Sequence, residues 1–240
     1  MSFLRSTLYQ ILFLPWTLVL CVGFLPLLVL APRRTVQHAA RFWLEGALWM
    51  QKHILGLSFE VLGGENLPSG GAILAAKHQS AWETMVFHRL VGDPAFVLKR
   101  ELLKLPLIGW YMRSTEQIPI DRASRGSALN QMLDKGKRAV EQGRSLVIFP
   151  EGTRQPTGKT GRYHSGVFKL YDALAVPVVP IALNSGQFWS RNAFIRHPGT
   201  ITLHVLPPIP PGLAREAFMA RLQGDIETAT RALERKAIGG

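Results

Sequence analysis

A histidine and a glutamate lie five positions apart in KHQSAWET, residues 77–84, directly after the apolar run GAILAA. Near neutral pH, imidazole is the side chain best suited to take up a proton. A carboxylate bonded to the second ring nitrogen fixes the tautomer and stabilises the imidazolium that forms. His78 and Glu83 are therefore a candidate catalytic base and its orienting acid. The alternative reason for Glu83 is structural, because a helix dipole favours an acidic residue in the first turn.

Ser80 lies between these two residues and is an alternative candidate, as a nucleophile. No G-x-S-x-G elbow surrounds it. A serine directly before a predicted helix is more simply its N-cap. A base without a protein nucleophile would activate a hydroxyl group of the substrate itself.

The stretch FPEGTR, residues 149–154, has the composition of an anion site. Gly152 lets the backbone approach a ligand closely, and Thr153 can donate a hydrogen bond. Arg154 carries a planar guanidinium group that matches phosphate or carboxylate oxygens. Glu151 and these three residues are candidates for the substrate-binding site.

After Gly56, short apolar runs alternate with amphipathic stretches. The runs that predict strands are LSFEVLG, AILAA, AFVLK, QIPID, SLVIF, VPVVPIAL and TITLHVL. Helices are predicted at residues 80–90, 125–142, 165–174 and 214–236. Strands that alternate with helices predict an α/β fold in which helices flank a mixed, largely parallel sheet.

The residues with chemical potential stand where predicted strands end. In open α/β sheets, binding sites form just beyond the carboxyl ends of the strands. His78, Lys99 and Arg122 each lie at or just after such an end, and FPEGTR follows another. A single basic residue is ordinarily a solvated surface charge. Several of them gathered beside a histidine and a carboxylate predict a site for a phosphate-bearing substrate.

The N-terminal segment predicts a membrane anchor. No charged residue occurs between Arg5 and Arg33. As a helix, residues 8–31 would be about 36 Å long, enough to cross a hydrocarbon core of about 30 Å. A cleaved signal peptide is disfavoured, because the apolar run is long and lacks a small-x-small exit. Pro15 and Pro26 leave open a bent, re-entrant helix.

Basic residues follow the apolar segment closely. Arg33, Arg34 and Arg41 place the following domain on the cytoplasmic side by the positive-inside tendency. Residues 32–40 are the candidate linker between the anchor and the globular part.

The next segment, RFWLEGALWMQKHIL, is compatible with a helix that carries Trp43 and Trp49. Such a helix either packs into the core or lies at the membrane interface. The predicted division is a membrane anchor at residues 1–55 and an α/β domain at residues 56–240.

Composition restricts the partners. The net charge is +12, with 28 Lys and Arg against 16 Asp and Glu, so an anionic partner is expected. The basic residues are scattered and no aromatic–basic recognition motif is present, which argues against nucleic acid. Cys21 is the only cysteine, and the histidines besides His78 show no ligand spacing, so no metal site is predicted.

Four blocks appear in the order found in a known enzyme family. HQSAWE resembles the first block, the His-x4-Asp motif, and EQIPIDR resembles the second, usually written Gly-x-x-Phe-Ile-x-Arg. FPEGTR matches the third block, and VPVVPIAL resembles the fourth, a Val-Pro-Ile-Val-Pro strand. From about Gly64 to Ser185 the chain resembles the glycerolipid acyltransferases, specifically the 1-acylglycerol-3-phosphate acyltransferases. Glu83 stands where the family usually has aspartate. Glu116 and Pro119 replace a glycine and a phenylalanine, which bears on the shape of the glycerol-phosphate pocket.

The resemblance implies a glycerolipid acyltransferase fold and a reaction without an acyl-enzyme, a metal or a cofactor. His78, oriented by Glu83, would deprotonate the sn-2 hydroxyl of lysophosphatidic acid. The alkoxide would attack the thioester of acyl-CoA or acyl-carrier protein and form phosphatidic acid for phospholipid biosynthesis. Arg122 and Arg154 match family residues that grip the phosphate, with Lys99 nearby, and Glu151 is expected to order the FPEGTR loop.

Two other functions fit parts of the pattern. The altered second block is compatible with an acceptor that lacks a phosphate, such as a lyso-aminolipid. The net charge and the apolar N-terminus are compatible with a non-catalytic protein that binds anionic membrane lipids.

Overall fold

The structure, a computed structural model, describes residues 1–121 and 127–238. Its described strands form a seven-stranded sheet in the order β1-β7-β6-β2-β5-β3-β4. The strands are β1 (Leu57–Leu62), β2 (Ile73–Ala76), β3 (Ala95–Lys99), β4 (Ile118–Ile120), β5 (Leu146–Ile148), β6 (Val178–Leu183) and β7 (Gly199–Val205). Neighbouring strands run parallel except β6 and β7, so the predicted mixed, largely parallel sheet is confirmed.

Helices cover both faces of this sheet. They are α1 (Ser2–Gly23), α2 (Leu27–Leu30), α3 (Arg33–Met50), α4 (Trp82–Leu90), α5 (Ile108–Ser114), α6 (Ser127–Glu141), α7 (Gly166–Leu174), α8 (Ser185–Phe188) and α9 (Arg215–Ile238). A π-helical turn, Gln51–Leu55, extends α3, and a 3₁₀ segment, Arg100–Lys104, precedes α5. The helices predicted after the first strand correspond to α4, α6, α7 and α9.

The central strand β2 shows how the two layers of helices are held. Its side chains are fully buried and alternate between the faces of the sheet. Leu74 and Ala76 belong to the core beneath α1, α3 and α4, whereas Ile73 and Ala75 belong to the core beneath α6, α7 and α9. A strand buried on both faces reads as a continuous apolar run, which is why AILAA could be recognised in the sequence.

The apolar N-terminal segment forms a helix with different limits from those expected. α1 begins at Ser2, contains Pro15 and ends at Gly23, ahead of Pro26. A 22-residue helix is about 33 Å long, and its most apolar 18 residues have a mean hydropathy of 1.5, so α1 is long and apolar enough to cross a membrane. Only 11% of these 18 residues are buried inside the protein, unlike the core helix of a soluble domain.

The predicted linker at residues 32–40 is wrong, because α3 begins at Arg33. Arg33 forms an ion pair with Asp93, in the turn before β3. Leu44 of α3 and Tyr9 of α1 are fully buried and share a core with β2. The segment is therefore packed against the sheet, since its apolar residues fall on one helical face.

Gly56 marks the change from N-terminal helices to the sheet. Its φ of 68° is the left-handed conformation that glycine adopts without steric cost at the end of a helix, and β1 begins at the next residue. The boundary between residues 1–55 and 56–240 coincides with this change, and their division into an anchor and a domain stays a prediction.

The sheet opens between β5 and β3. Ala95 and Phe96 of β3 pair with β5, whereas residues 97–99 pair with β4. The two strands therefore separate toward their carboxyl ends. This opening lies at the carboxyl ends of the strands, where the candidate site was expected.

Candidate active site

His78 follows β2, between the loops that leave β5 and β6. Its Nδ1 lies 2.9 Å from Glu83 Oε1. The ring nitrogen donates this hydrogen bond, because a carboxylate can only accept. In the neutral ring with this tautomer, Nε2 carries no proton and can accept one. The structure thus brings the two predicted residues together.

Glu83 is fully buried and accepts hydrogen bonds on both oxygens. The backbone N–H groups of Gln79 and Ser80 each donate to Oε1 at 2.7 Å. The hydroxyl groups of Ser80 and Ser185 donate to Oε2 at 2.8 and 2.9 Å. Burial by itself raises the pKa of Glu83, but His78 and the backbone donors outweigh it and bring the pKa below its ordinary value. Glu83 is therefore ionised at neutral pH.

Ser80 and Glu83 also exchange hydrogen bonds of the capping-box kind just before α4, which begins at Trp82. Ser80 Oγ accepts the N–H of Trp82 at 2.9 Å, while the carboxylate reaches back to the N–H of Ser80. The structural and the chemical explanations of Glu83 are thus compatible, because the cap fixes the carboxylate that bonds His78. The extra methylene of glutamate relative to aspartate does not prevent a 2.9 Å contact with the ring.

Three contacts hold His78 in place from the side of β5. Its ring stacks on Phe149, with centroids 4.0 Å apart and planes inclined by 18°. Its N–H donates to Glu151 Oε2 at 3.1 Å, and its carbonyl accepts the N–H of Gln155 at 2.7 Å. The side chain remains 13% exposed, so the ring can be reached by a substrate.

One part of the FPEGTR loop faces a cavity, and another part is buried in the protein. Gly152, at φ 66°, adopts the left-handed conformation that favours glycine. Gly152, Thr153 and Arg154 line a cavity beside the histidine. Glu151 is buried instead, where its Oε1 accepts a hydrogen bond from Lys77 Nζ at 2.7 Å. This position fits the expected ordering of the loop by Glu151 and not a contact with substrate.

The cavity has a volume of about 1240 Å³ and includes His78 in its wall. It lies in the opening of the sheet, since residues 97–99 of β3 and residues 148–150, at the end of β5 and just beyond it, both line it. Apolar lining residues include Leu20, Phe24, Trp43, Met85, Leu98 and Met132. A long apolar wall with a few charged groups is the composition expected of a site for lipid chains with a polar head.

Among the described residues, four basic side chains line the cavity. Lys99 and Arg154 were predicted, whereas Lys169 and Arg191 were not. Arg191 donates to the carbonyl oxygen of Arg154 at 3.2 Å, which places the two side by side. Lys169 and Arg191 come from distant parts of the chain that no motif marks. Arg122 lies outside the described residues, and its role stays a prediction.

Ser185 is a site residue that no sequence motif marks. It directly follows Asn184 at the carboxyl end of β6, the strand beside β2. Its hydroxyl group donates to Glu83. The position at a strand end was the available signal, the same one that marked His78.

Two histidines without a predicted role, His88 and His164, also line the cavity. Burial lowers the pKa of His88 to about 4, so its ring is neutral at pH 7. No group of three or more His, Cys, Asp or Glu is placed to hold a metal ion within residues 1–121 and 127–238. The expectation of a reaction without metal or cofactor stays a prediction.

The two departures in the second block stand next to residues that line the cavity, such as Thr115 and Gln117, but do not line it themselves. Glu116 keeps a left-handed backbone, with φ 53°, which is the conformation that a glycine would adopt there. Its carboxylate lies 3.5 Å from Arg33 and 3.8 Å from Arg144. Pro119 lies in β4, an edge strand, where a missing N–H is tolerated. Neither residue is among those that shape the cavity.

A family model described as Acyltransferase matches residues 58–184, more than half of the chain. The chain belongs to the acyltransferase family. The resemblance seen in the four blocks is therefore confirmed. The matched region contains β1 to β6 and the His78–Glu83 pair, and it ends before β7 and α9.

Relatives of this acyltransferase carry a consistent description. It is 36% identical over 179 residues to the 1-acyl-sn-glycerol-3-phosphate acyltransferase of Pseudomonas aeruginosa, across 75% of this chain and 70% of the relative. It is 31% identical over 162 residues to the human 1-acyl-sn-glycerol-3-phosphate acyltransferase beta, across 66% of this chain and 58% of that one. The chain thus spans less than two thirds of the human relative.

A solved structure shows the same fold over almost the whole chain. The crystal structure of the 1-acyl-sn-glycerophosphate (LPA) acyltransferase PlsC from Thermotoga maritima matches with a TM-score of 0.75 and 25% sequence identity. The match covers 99% of this acyltransferase and 98% of the other chain. It therefore includes the N-terminal helices and α9, which lie outside the family model.

Proposed function

We propose that this acyltransferase transfers a fatty acyl group from a thioester, acyl-CoA or acyl-carrier protein, to the sn-2 hydroxyl of 1-acyl-sn-glycerol 3-phosphate. The observation that carries the proposal is the His78–Glu83 pair, which opens onto a cavity whose described lining combines an apolar wall with lysine and arginine side chains. The descriptions of the bacterial and human relatives name the same acceptor.

The chemistry proceeds by direct transfer. Nε2 of His78 removes the hydroxyl proton as the acceptor oxygen attacks the thioester carbonyl, and the thiolate leaves as the carbonyl re-forms. The proton held by the imidazolium then passes to the departing thiolate, so the enzyme returns to its starting state. Glu83 keeps the ring in the required tautomer and stabilises its positive charge. Holding both substrates in attack geometry supplies much of the rate.

The cations give the acceptor its orientation. Arg154 can bind two phosphate oxygens at once, and Lys99, Lys169 and Arg191 add positive charge along the same cavity. None of the four forms an ion pair with another residue in the described part of the chain.

We also propose that the enzyme works at a membrane surface, on its cytoplasmic side. α1 exposes large apolar side chains such as Ile11, Leu14 and Val19. Trp49 of α3 is 61% exposed, whereas Trp43 packs against the core, so α3 can contact both the interface and the protein. Membrane lipids would supply the acceptor and take up the product.

The proposal is tested with purified enzyme in detergent. Oleoyl-CoA and oleoyl-acyl-carrier protein are offered separately, each with lysophosphatidic acid or with a lyso-aminolipid, and products are identified by mass spectrometry. Phosphatidic acid from lysophosphatidic acid supports the proposal. Acylation confined to the lyso-aminolipid, or no product with either donor, contradicts it.

A further inference from the structure

Two carboxylates of the C-terminal helix α9 are buried beside the residues that flank His78. Glu227 and Glu234 are 6% and 7% exposed. They lie seven residues apart, which is about two helical turns, so they project from one face of α9. Glu227 contacts Lys77, and Glu234 contacts Gln79.

We propose that Glu227 and Glu234 are positioning residues, which hold the backbone on both sides of His78 so that the imidazole meets Glu83 and the cavity at once. The proposal rests on the proposed function of His78 as the base. It assigns a role to α9, which the family model does not include.

The first contact fixes the residue before the histidine. Lys77 is 1% exposed, and its ammonium group donates to Glu227 Oε1 and Glu151 Oε1, both at 2.7 Å, and to the carbonyl oxygen of Lys159 at 3.0 Å. Its three N–H donors are thereby all used. Glu151 in turn accepts the N–H of His78 through its other oxygen. α9 is thus linked through two ion pairs to the backbone of the histidine.

Glu227 is itself held in place by neutral donors. Tyr163 donates to Oε1 at 3.0 Å, and Thr160 donates to Oε2 at 2.7 Å. Burial, followed by the negative charges of Glu227 and Glu151, raises the pKa of Tyr163, so its hydroxyl group stays protonated and donates. The carboxylate therefore has a fixed orientation toward Lys77.

The second contact fixes the residue after the histidine. Gln79 is fully buried, and its Nε2 donates to Glu234 Oε1 at 2.7 Å while its Oε1 accepts the N–H of Gly186 at 3.0 Å. The backbone N–H of Gln79 donates to Glu83. Glu234 therefore holds the same peptide segment whose backbone N–H orients Glu83, the partner of His78.

The side chain of Gln79 is also confined by its close packing against Gly186. A Cβ placed on Gly186 would lie 3.0 Å from Gln79 Cβ, closer than ordinary van der Waals contact. Gln79 consequently has little room to move when its amide is held at both ends. The direction of strand β2 explains the arrangement, because Lys77 continues toward the face covered by α9 while His78 turns to the opposite face.

The test compares substitutions at matched positions of α9. Glu234→Leu removes the acceptor for Gln79. Glu234→Gln retains an amide oxygen that can accept the same hydrogen bond. Glu216→Leu makes the first change at an exposed position of the same helix and serves as the control. Each purified variant is assayed for kcat and for KM of both substrates, and hydrogen exchange is followed in peptides that cover residues 77–83.

Glu234→Leu is expected to lower kcat by about tenfold to a hundredfold, the effect of a small displacement of a catalytic group, with both KM values within about twofold of wild type. Exchange in residues 77–83 should become faster. Glu234→Gln should recover most of the activity, and Glu216→Leu should match wild type. An unchanged kcat in Glu234→Leu overturns the proposal, as does a loss of kcat without faster exchange in that segment.

Gln79→Leu breaks the same contact from the other side and keeps the test decisive if Glu234→Leu does not fold. It should reproduce the loss of kcat at unchanged KM, and wild-type kcat in Gln79→Leu would also overturn the proposal. Wild-type enzyme that forms no phosphatidic acid would contradict the proposed function instead. In that event the exchange measurement alone decides whether α9 orders the segment.

Discussion

The carboxylate of Glu83 joins His78 to the start of α4, because Oε1 accepts from the ring at 2.9 Å and from two backbone N–H groups at 2.7 Å. Glu83→Gln should lower kcat by about a hundredfold or more, since an amide cannot stabilise the imidazolium and its NH2 group would face a ring donor. The measurement is kcat for acyl transfer by purified enzyme.

Glu83→Asp is the control for this first prediction. It keeps the charge and shortens the side chain by one methylene, so part of the activity should remain. Equal loss in both variants would mean that the length of the side chain matters and its charge does not, contrary to the assigned role.

Arg154→Gln should raise the KM for lysophosphatidic acid by about tenfold or more, because a charge-assisted hydrogen bond to phosphate contributes about 1.5–3 kcal/mol. The KM for the acyl donor should change much less. Steady-state kinetics with each substrate varied in turn measures both values. Arg235→Gln, at an exposed position of α9, is the matched control.

An acceptor without a phosphate sharpens the test of Arg154. Its turnover should be the same in wild type and in Arg154→Gln, since the guanidinium group has no partner on it. An equal loss with both acceptors would show that Arg154 shapes the cavity and does not recognise the phosphate.

Local sequence patterns predicted the strands and the His78–Glu83 pair well. AILAA and SLVIF are buried on both faces of the sheet, so their sequences are continuously apolar, and His78 stands just past the end of the first. Glu83 was recognisable because it stands only five positions after His78, as in the His-x4-Asp motif. Such features depend on neighbours in the sequence, which is the information that a pattern contains.

Contacts between distant segments could not be read in the same way. Ser185 and Glu227 lie far from His78 in the sequence, and no spacing rule links them to it. The linker at residues 32–40 was wrong because the stretch is polar at its start, and its helical packing depends on Asp93 and on the sheet. The roles of these residues and the packing of this segment depend on neighbours in the folded protein, which the sequence does not reveal.

Glu116 offers a test of backbone strain. Its φ of 53° is left-handed, a conformation that costs a residue with a Cβ about 1–2 kcal/mol. Glu116→Gly should therefore be more stable than Glu116→Ala by about 1 kcal/mol, the reverse of the usual order. Denaturant unfolding in detergent measures the difference. Both variants lose the same ion pairs, which are weak because the carboxylate is 59% exposed.

A more stable alanine variant would contradict this account of Glu116. It would mean that the segment before β4 does not hold the left-handed conformation in solution.

His88 should make stability depend on pH. Burial lowers its pKa from 6.5 to about 4; Arg144 acts in the same direction and Asp93 opposes it. At a pH between these two pKa values, the unfolded chain binds a proton at His88 that the folded chain excludes. The free energy of unfolding therefore falls as the pH falls from about 6.5 to 4, by up to roughly 3 kcal/mol from this residue. Below about pH 4 this contribution has been lost.

The comparison of His88→Phe with His38→Phe, at an exposed position of α3, isolates the effect. Thermal unfolding of each variant in detergent is recorded between pH 7 and pH 4. The loss of stability on acidification should be smaller in His88→Phe and unchanged in His38→Phe. Identical pH profiles in wild type and His88→Phe would show that His88 is protonated equally in both states.

The measurement closest to the central claim is the kcat/KM of purified His78→Ala for acyl transfer to lysophosphatidic acid, beside wild type in the same detergent. A general base contributes about a hundredfold to ten-thousandfold, so the variant should lose activity in that range or beyond while its thermal unfolding stays near that of wild type. Activity close to wild type in a folded His78→Ala enzyme would contradict the assignment of His78 as the base.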